Sequence, residues 1–102
     1  MIDNDLTAQR QTAIYDAFEK HVAYLTGRLS DFKDLHVLHD EYCLDNQFGI
    51  KVICIGERDL LSTPIFDEVI DFAKTYHYSF FVDVDKNDLP RIRLYINKNS
   101  VE

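Results

Sequence analysis

Period-two alternation near the carboxy end constrains this chain more than any other feature. Tyr78, Phe80, Val82 and Val84 recur at every second position, as do Ile92, Leu94 and Ile96, and a loop at residues 85–90 stands between the two runs. Extended backbone points successive side chains to opposite faces, so each run buries one face, and the short break joins them as an antiparallel hairpin. Strands are expected over residues 77–84 and 91–96. With Val84 set opposite Ile92, the outward face would pair Asp83 with Arg93, Asp85 with Arg91 and Phe81 with Tyr95, matching charge to charge and ring to ring.

An isolated hairpin is marginal in water, so the remaining chain must cover its apolar face. Ile14, Phe18, Val22, Leu25 and Leu29 follow one another at helical spacing, and Leu6, Ala13 and Ala17 widen the stripe. A long helix is therefore expected from Asp5 to within two residues of Gly27, which offers a left-handed C-cap. Residues 35–44 and 48–55 read as two extended runs about an Asp45-Asn46-Gln47 turn. The second is apolar on both faces, with Phe48, Ile50, Val52 and Cys54 on one side and Ile53 and Ile55 beside Lys51 on the other, as befits a central strand. The first, carrying His36, His39, Asp40 and Glu41, reads as an edge. After a turn at residues 56–61, Ser62-Thr63-Pro64 sets out a helix start, Asp67 and Glu68 lie near its positive end, and the helix should stop near Tyr76 or His77.

The order α-β-β-α-β-β implies an α+β fold, two helices on one face of a four-stranded antiparallel sheet. At 102 residues the chain has room for one domain, residues 1–102, with frayed ends at 1–4 and 98–102. Ile14-Tyr15-Asp16 and Ile65-Phe66-Asp67 echo each other, but the strands carry no matching echo, so a duplication is not assumed.

The chain holds 18 acidic and 11 basic residues, a net charge of −7, and the middle third is the most acidic. That balance disfavours phosphate backbones and anionic membranes as partners. No apolar run approaches the ~20 residues of a membrane helix, the amino end lacks signal-peptide character, and a cytoplasmic location is expected. Cys43 and Cys54 are too few and too far apart for a disulfide framework or a paired metal site, and are read as structural thiols.

Motifs that carry chemistry are weak throughout. His36 and His39 would face opposite ways on a strand, so they do not make a metal site with Asp40. Asp83, Asp85 and Asn87 match the first ligands of an EF-hand, but Asp88 stands where its glycine belongs and Leu94 where its glutamate belongs. No serine elbow or glycine-rich phosphate loop is present in the sequence. No cofactor, metal or catalytic residue is expected.

The sheet face turned away from the helices is the more informative feature. Ile53, Ile55, Phe81 and Tyr95 should project there, with Val37 beside them, and an uncovered apolar group on a sheet marks a contact surface. A DNA-imitating protein should expose carboxylates at phosphate-like intervals, and Asp31, Asp34, Asp40, Glu41 and Asp45 are the candidate stretch for that, the plainer reading being an ordinary solvated face. The expectation is a non-enzymatic acidic module that docks on a basic surface of another protein, as inhibitors, immunity proteins and phage-encoded DNA mimics do. The alternative is a homodimeric structural or chaperone-like protein using the outer face or the first strand. A third reading, a small enzyme or ligand-binding domain, predicts a deep pocket at His36, His39, Tyr42 or His77.

Overall fold

The helical stripe folds into α1 (Ile2–Arg28). The structure is a computed structural model that describes residues 2–54 and 63–101, with side chains from Ala8 and from Pro64 onward in the two stretches. Its packed portion begins at Ile14, since residues 8–13 are all exposed, and Ala13 therefore does not widen the buried stripe. Helix continues back to Ile2, so residues 2–4 belong to it, three positions before the expected start. Gly27 remains helical and is not the cap. The chain leaves the helix through Ser30, whose amide and hydroxyl both donate to the Gly27 carbonyl at 3.3 and 2.8 Å, and then turns at Asp34, where φ is 70°.

The strands are β1 (Leu35–His39), β2 (Gln47–Cys54), β3 (Ser79–Val84) and β4 (Pro90–Asn97), and α2 (Thr63–Tyr76) crosses between β2 and β3. They form one antiparallel sheet in the order β1-β2-β4-β3, which puts β2 in the interior and β1 on an edge, as the apolar patterns require. Both helices cover one face. Ile50, Val52, Ile92, Leu94 and Ile96 from the central strands make one core with Ile14, Phe18, Leu25 and Leu29 of α1 and Ile65, Val69, Phe72 and Ala73 of α2. Each large side chain so buried contributes about 1.5–3 kcal/mol. Phe18 stacks on Phe48 at 4.4 Å between ring centres, and Phe66 meets Phe80 edge-on at 5.3 Å, tying one helix to β2 and the other to β3.

α2 ends in a Schellman turn. The Tyr78 amide donates to the Ala73 carbonyl at 2.9 Å, and His77 takes the left-handed position with φ 65°, where glycine is the usual occupant. Tyr78 is buried beyond the turn, and its hydroxyl lies 2.9 Å from His21 Nδ1. Burial lowers the His21 pKa and pushes the Tyr78 phenol well above its usual range.

Three boundaries differ from the sequence reading. Asp83 stands opposite Arg91, Phe81 opposite Arg93, Val82 opposite Ile92 and Ser79 opposite Tyr95, a register two residues tighter than the expected one. The cause is Asp85, whose carboxylate accepts from the amides of Asn87 and Leu89 at 2.8 and 3.1 Å while its own amide donates to Leu89 O at 3.0 Å, closing the turn early. β1 stops at His39, so residues 40–46 form the connection instead of a three-residue turn. Residues 97–101 are anchored: Asn97 Oδ1 caps a 3₁₀ turn (Lys98–Ser100) by accepting from the Asn99 amide at 2.9 Å, and Val101, 3% exposed, enters the core.

Candidate functional site

The sheet face away from the helices is crossed by charge. Reading across the strands, Gly49, Tyr95 and Ser79 share one row, and Leu38, Lys51, Arg93 and Phe81 share the next. The expected apolar patch is thereby divided: Ile53, half-buried opposite His36, is separated from Tyr95 by the Lys51–Arg93 row, and Phe81 stands at the β3 end of that row. Val37 is not part of this face, because it pairs with buried Val52 and packs against the core. Ile55 lies outside the described residues.

Tyr95 is on this face but is not free. Only 8% of it is exposed, because the chain that follows β1 folds over its ring. Its hydroxyl donates to Asp40 Oδ2 at 2.7 Å and approaches the Tyr42 carbonyl at 3.2 Å. The ring lies close against Gly49, where an added Cβ would come within 2.8 Å of it and within 2.7 Å of the Asp40 carbonyl. Glycine is required there by close approach.

Asp40 is likewise withdrawn from the acidic surface proposed for it. It is 2% exposed, and its carboxylate receives a two-pronged Arg93 guanidinium, Nε to Oδ2 at 2.7 Å and Nη2 to Oδ1 at 2.9 Å, with the Tyr42 amide donating to Oδ1 at 3.0 Å. Arg93 also donates to Asp83 at 3.0 Å, and Arg91 binds Asp83 at 2.6 and 3.1 Å, so the network continues to the edge of the sheet. Burial by itself would raise the Asp40 pKa, but the donors from Arg93, Tyr95 and Tyr42 and the Arg93 charge outweigh it and hold the group at about 2. Tyr95 is pushed up to about 12, by burial and then by its bond to the Asp40 carboxylate. Burial, reinforced by the Asp40 charge, also raises the Cys43 thiol.

The network fixes the connection at residues 40–46 as a raised lip. Cys43 Sγ donates to the Gln47 carbonyl at 3.4 Å, and the Leu44 amide meets the Gln47 side chain at 3.3 Å. Beyond the lip lies an open groove of 650 Å³ between this connection and β3, bounded by Tyr42, Cys43, Leu44, Phe81 and Tyr95 with Glu41 at its rim. Tyr42 is 84% exposed, Leu44 67% and Phe81 45%. Phe81 leans on Tyr95 with ring centres 5.2 Å apart.

Glu41 and Asp45 are exposed on this connection, whereas Asp31 and Asp34 are exposed at the opposite end of β1, on the segment leaving α1. With Asp40 inside, the five acids do not form one continuous row. His36 and His39 face opposite sides of the sheet, and His39 Nε2 pairs with Glu19 of α1. Tyr42 and Leu44 are the prominent residues that pattern reading assigned to a strand. The signal that bears on them is Gly49 in an otherwise bulky central strand, which marks a place where another part of the chain comes close.

Comparison with known protein families, with curated proteins and with solved structures finds no match to this chain.

Proposed function

We propose that this chain is a non-enzymatic protein-binding module, of the inhibitor or immunity type, that docks on a basic surface of another protein through the lip at residues 40–46 and the groove beside it. The observation that carries this reading is Tyr42, an aromatic side chain 84% exposed on a connection whose backbone is held at both its amide and its carbonyl by buried groups. Tyrosine is among the residues that dominate interface energies, and a backbone already fixed before binding avoids the entropy of ordering it. Leu44 and Phe81 extend the apolar centre, and Glu41 and Asp45 supply the negative rim that steers a basic partner within a molecule of net charge −7. The shifted groups at the groove point the same way: Asp40 stays ionised and Tyr95 and Cys43 stay protonated across neutral pH, so none of the three is poised to exchange protons there.

The test is capture of the partner at low ionic strength, followed by titration of the purified pair. Tyr42→Ala should weaken binding by roughly 30-fold, as expected of a central interface tyrosine worth ~2 kcal/mol. Glu41→Gln with Asp45→Asn should slow association and flatten its salt dependence. A complex indifferent to substitutions at Tyr42, Leu44 and Phe81 would show that the docking face lies elsewhere.

A further inference from the structure

The two edges of the sheet are unequally protected. β1 is five residues long, carries His36 and His39, and is tied to α1 through the His39–Glu19 pair. β3 has none of the devices that keep an edge from pairing with other chains: no proline, lysine or glycine interrupts Ser79-Phe80-Phe81-Val82-Asp83-Val84. Its one charge, Asp83, is already bound by Arg91 and Arg93. Val82 and Val84 are on the helix side of the sheet yet remain 39% and 56% exposed, and Phe81 on the other side is 45% exposed.

The hydrogen-bond phase of this edge follows from the turn. Asp85 donates to Leu89, so Asp83, Phe81 and Ser79 point their backbone groups toward β4, while Phe80, Val82 and Val84 point theirs away from it. Pro90, opposite Val84, has no amide to offer and fits this alternation. Among the described residues no strand pairs with the outer edge of β3.

We infer that β3 is the site at which a second copy of this chain adds, antiparallel across a two-fold axis at Phe81, to make a continuous eight-stranded sheet. The argument for a second copy is the self-complementarity of the edge. In this register Phe81 faces its own counterpart, Phe80 faces Val82, and Ser79 places a hydroxyl donor opposite the Asp83 carboxylate, so every row matches and no like charges oppose. Phe80 and Val82 exchange backbone bonds with Val82 and Phe80 of the other copy, about four in all. The local neutrality of the edge disfavours selection of a foreign strand by charge, despite the acidity of the whole molecule. Because Phe81 also bounds the groove, the two grooves meet at the axis and the dimer presents one docking face in duplicate.

Sedimentation equilibrium of the full chain over a wide concentration range tests this inference. The expected result is a reversible, salt-insensitive dimer in the micromolar range, since pairing of one edge buries less than the ~1,200 Å² of a standard interface. Val82→Pro removes an outward amide without touching the β3–β4 ladder, and should weaken the dimer by on the order of tenfold or more, as two bonds are lost by symmetry. Val82→Lys, which leaves the backbone intact and sets an ammonium group opposite Phe80, should do the same, with circular dichroism verifying that both variants fold. In a Cys43→Ser, Cys54→Ser background, Phe81→Cys should oxidise to an interchain disulfide, because residues facing each other in a non-bonded pair lie ~4.5 Å apart at Cα. A monomer at every concentration would overturn the inference, and so would a dimer whose dissociation constant both Val82 variants leave unchanged. Tyr42→Ala, on the connection at residues 40–46, should leave dimerisation intact, so failure of the dimer and failure of the docking face are read separately.

Discussion

Replacing Arg93 with methionine isolates the cost of the buried Asp40 carboxylate. The Asp40 side chain is fully buried and Arg93 only 12% exposed, so the variant leaves an ionised group in the interior with the Tyr95 hydroxyl and the Tyr42 amide as its remaining donors. Breaking a buried pair from one side costs about 3–5 kcal/mol, a large fraction of the ~5–15 kcal/mol that holds a domain together. The dependence on pH carries the sharper test. In the wild type the Asp40 pKa falls from 3.8 to about 2, and at 1.36 kcal/mol per unit this amounts to about 2 kcal/mol of stability. A depressed carboxylate contributes fully above its unfolded pKa of ~3.9 and loses that contribution as pH falls toward its folded value, so the wild type weakens between about pH 4 and pH 2. Without Arg93, the burial that raises the Asp40 pKa is opposed only by the Tyr95 and Tyr42 donors, so the folded pKa lies above its wild-type value. Protonation then narrows the difference between the two proteins as pH falls through that value. Urea unfolding followed by circular dichroism and tyrosine fluorescence, in a chain without tryptophan, should therefore give a wide gap between the two proteins at pH 7 that closes on acidification. Adding Asp40→Asn to the variant should recover most of the loss at pH 7. A gap below ~1 kcal/mol at pH 7, or one that does not change with pH, would refute the assignment of a buried, Arg93-dependent charge.

Gly49→Ala drives a Cβ to 2.7 Å from the Asp40 carbonyl and 2.8 Å from the Tyr95 ring, so it should cost roughly 1–3 kcal/mol in urea unfolding and loosen the connection at residues 40–46. His77→Gly relieves a left-handed residue at φ 65° and should stabilise the fold by about 1 kcal/mol, read as a rise in Tm of about 4–8 °C. His21 has its pKa lowered by burial, so the unfolded chain takes up a proton first as pH drops below ~6.5 and stability declines on that limb; His21→Gln should flatten the decline, and an unchanged pH profile would rule out this contribution.

The element order and the face of nearly every strand residue were legible because both are local: periods of two and of three to four record which side chains share a surface. β2 is apolar on both sides and lies inside the sheet, and β1 is polar and lies at an edge, for the same reason. Register was not legible to the same depth. Its hydrophobic content is unchanged by a slip of two residues, and the choice was made by the Asp85 side chain bonding two amides of its own turn. The acidic row failed for a different cause. Composition places Asp40 and Glu41 side by side as equals, but a guanidinium 53 residues further along reaches only one of them, and no periodicity encodes that meeting. Tyr95 was assigned to the correct face but was expected to be bare, since alternation describes a strand and not the loop that later covers it. The tail, polar through Ser100, carries one apolar residue, Val101, that the core accepts once Asn97 caps the intervening turn.

The withdrawal of Asp40 and Tyr95 from the surface strengthens the proposed docking face that it diminishes in area. An exposed row of acids would be screened by salt and free to rearrange, and each side chain would lose its rotamer freedom on binding. Here one carboxylate turns inward to bind Arg93, Tyr95 and the Tyr42 amide, and the result is a backbone connection fixed before any partner arrives. Because the Asp40 pKa lies at about 2 and its pair is shielded from solvent, neither neutral pH nor moderate salt disturbs that fixation. In the proposed docking, labour is divided among neighbours in sequence: Asp40 would set the pose, Tyr42 and Leu44 would present contact area, and Glu41 and Asp45 would provide the long-range charge. Gly49 makes the arrangement possible, since any side chain at that position would lift the Tyr95 ring and with it the floor on which the connection rests.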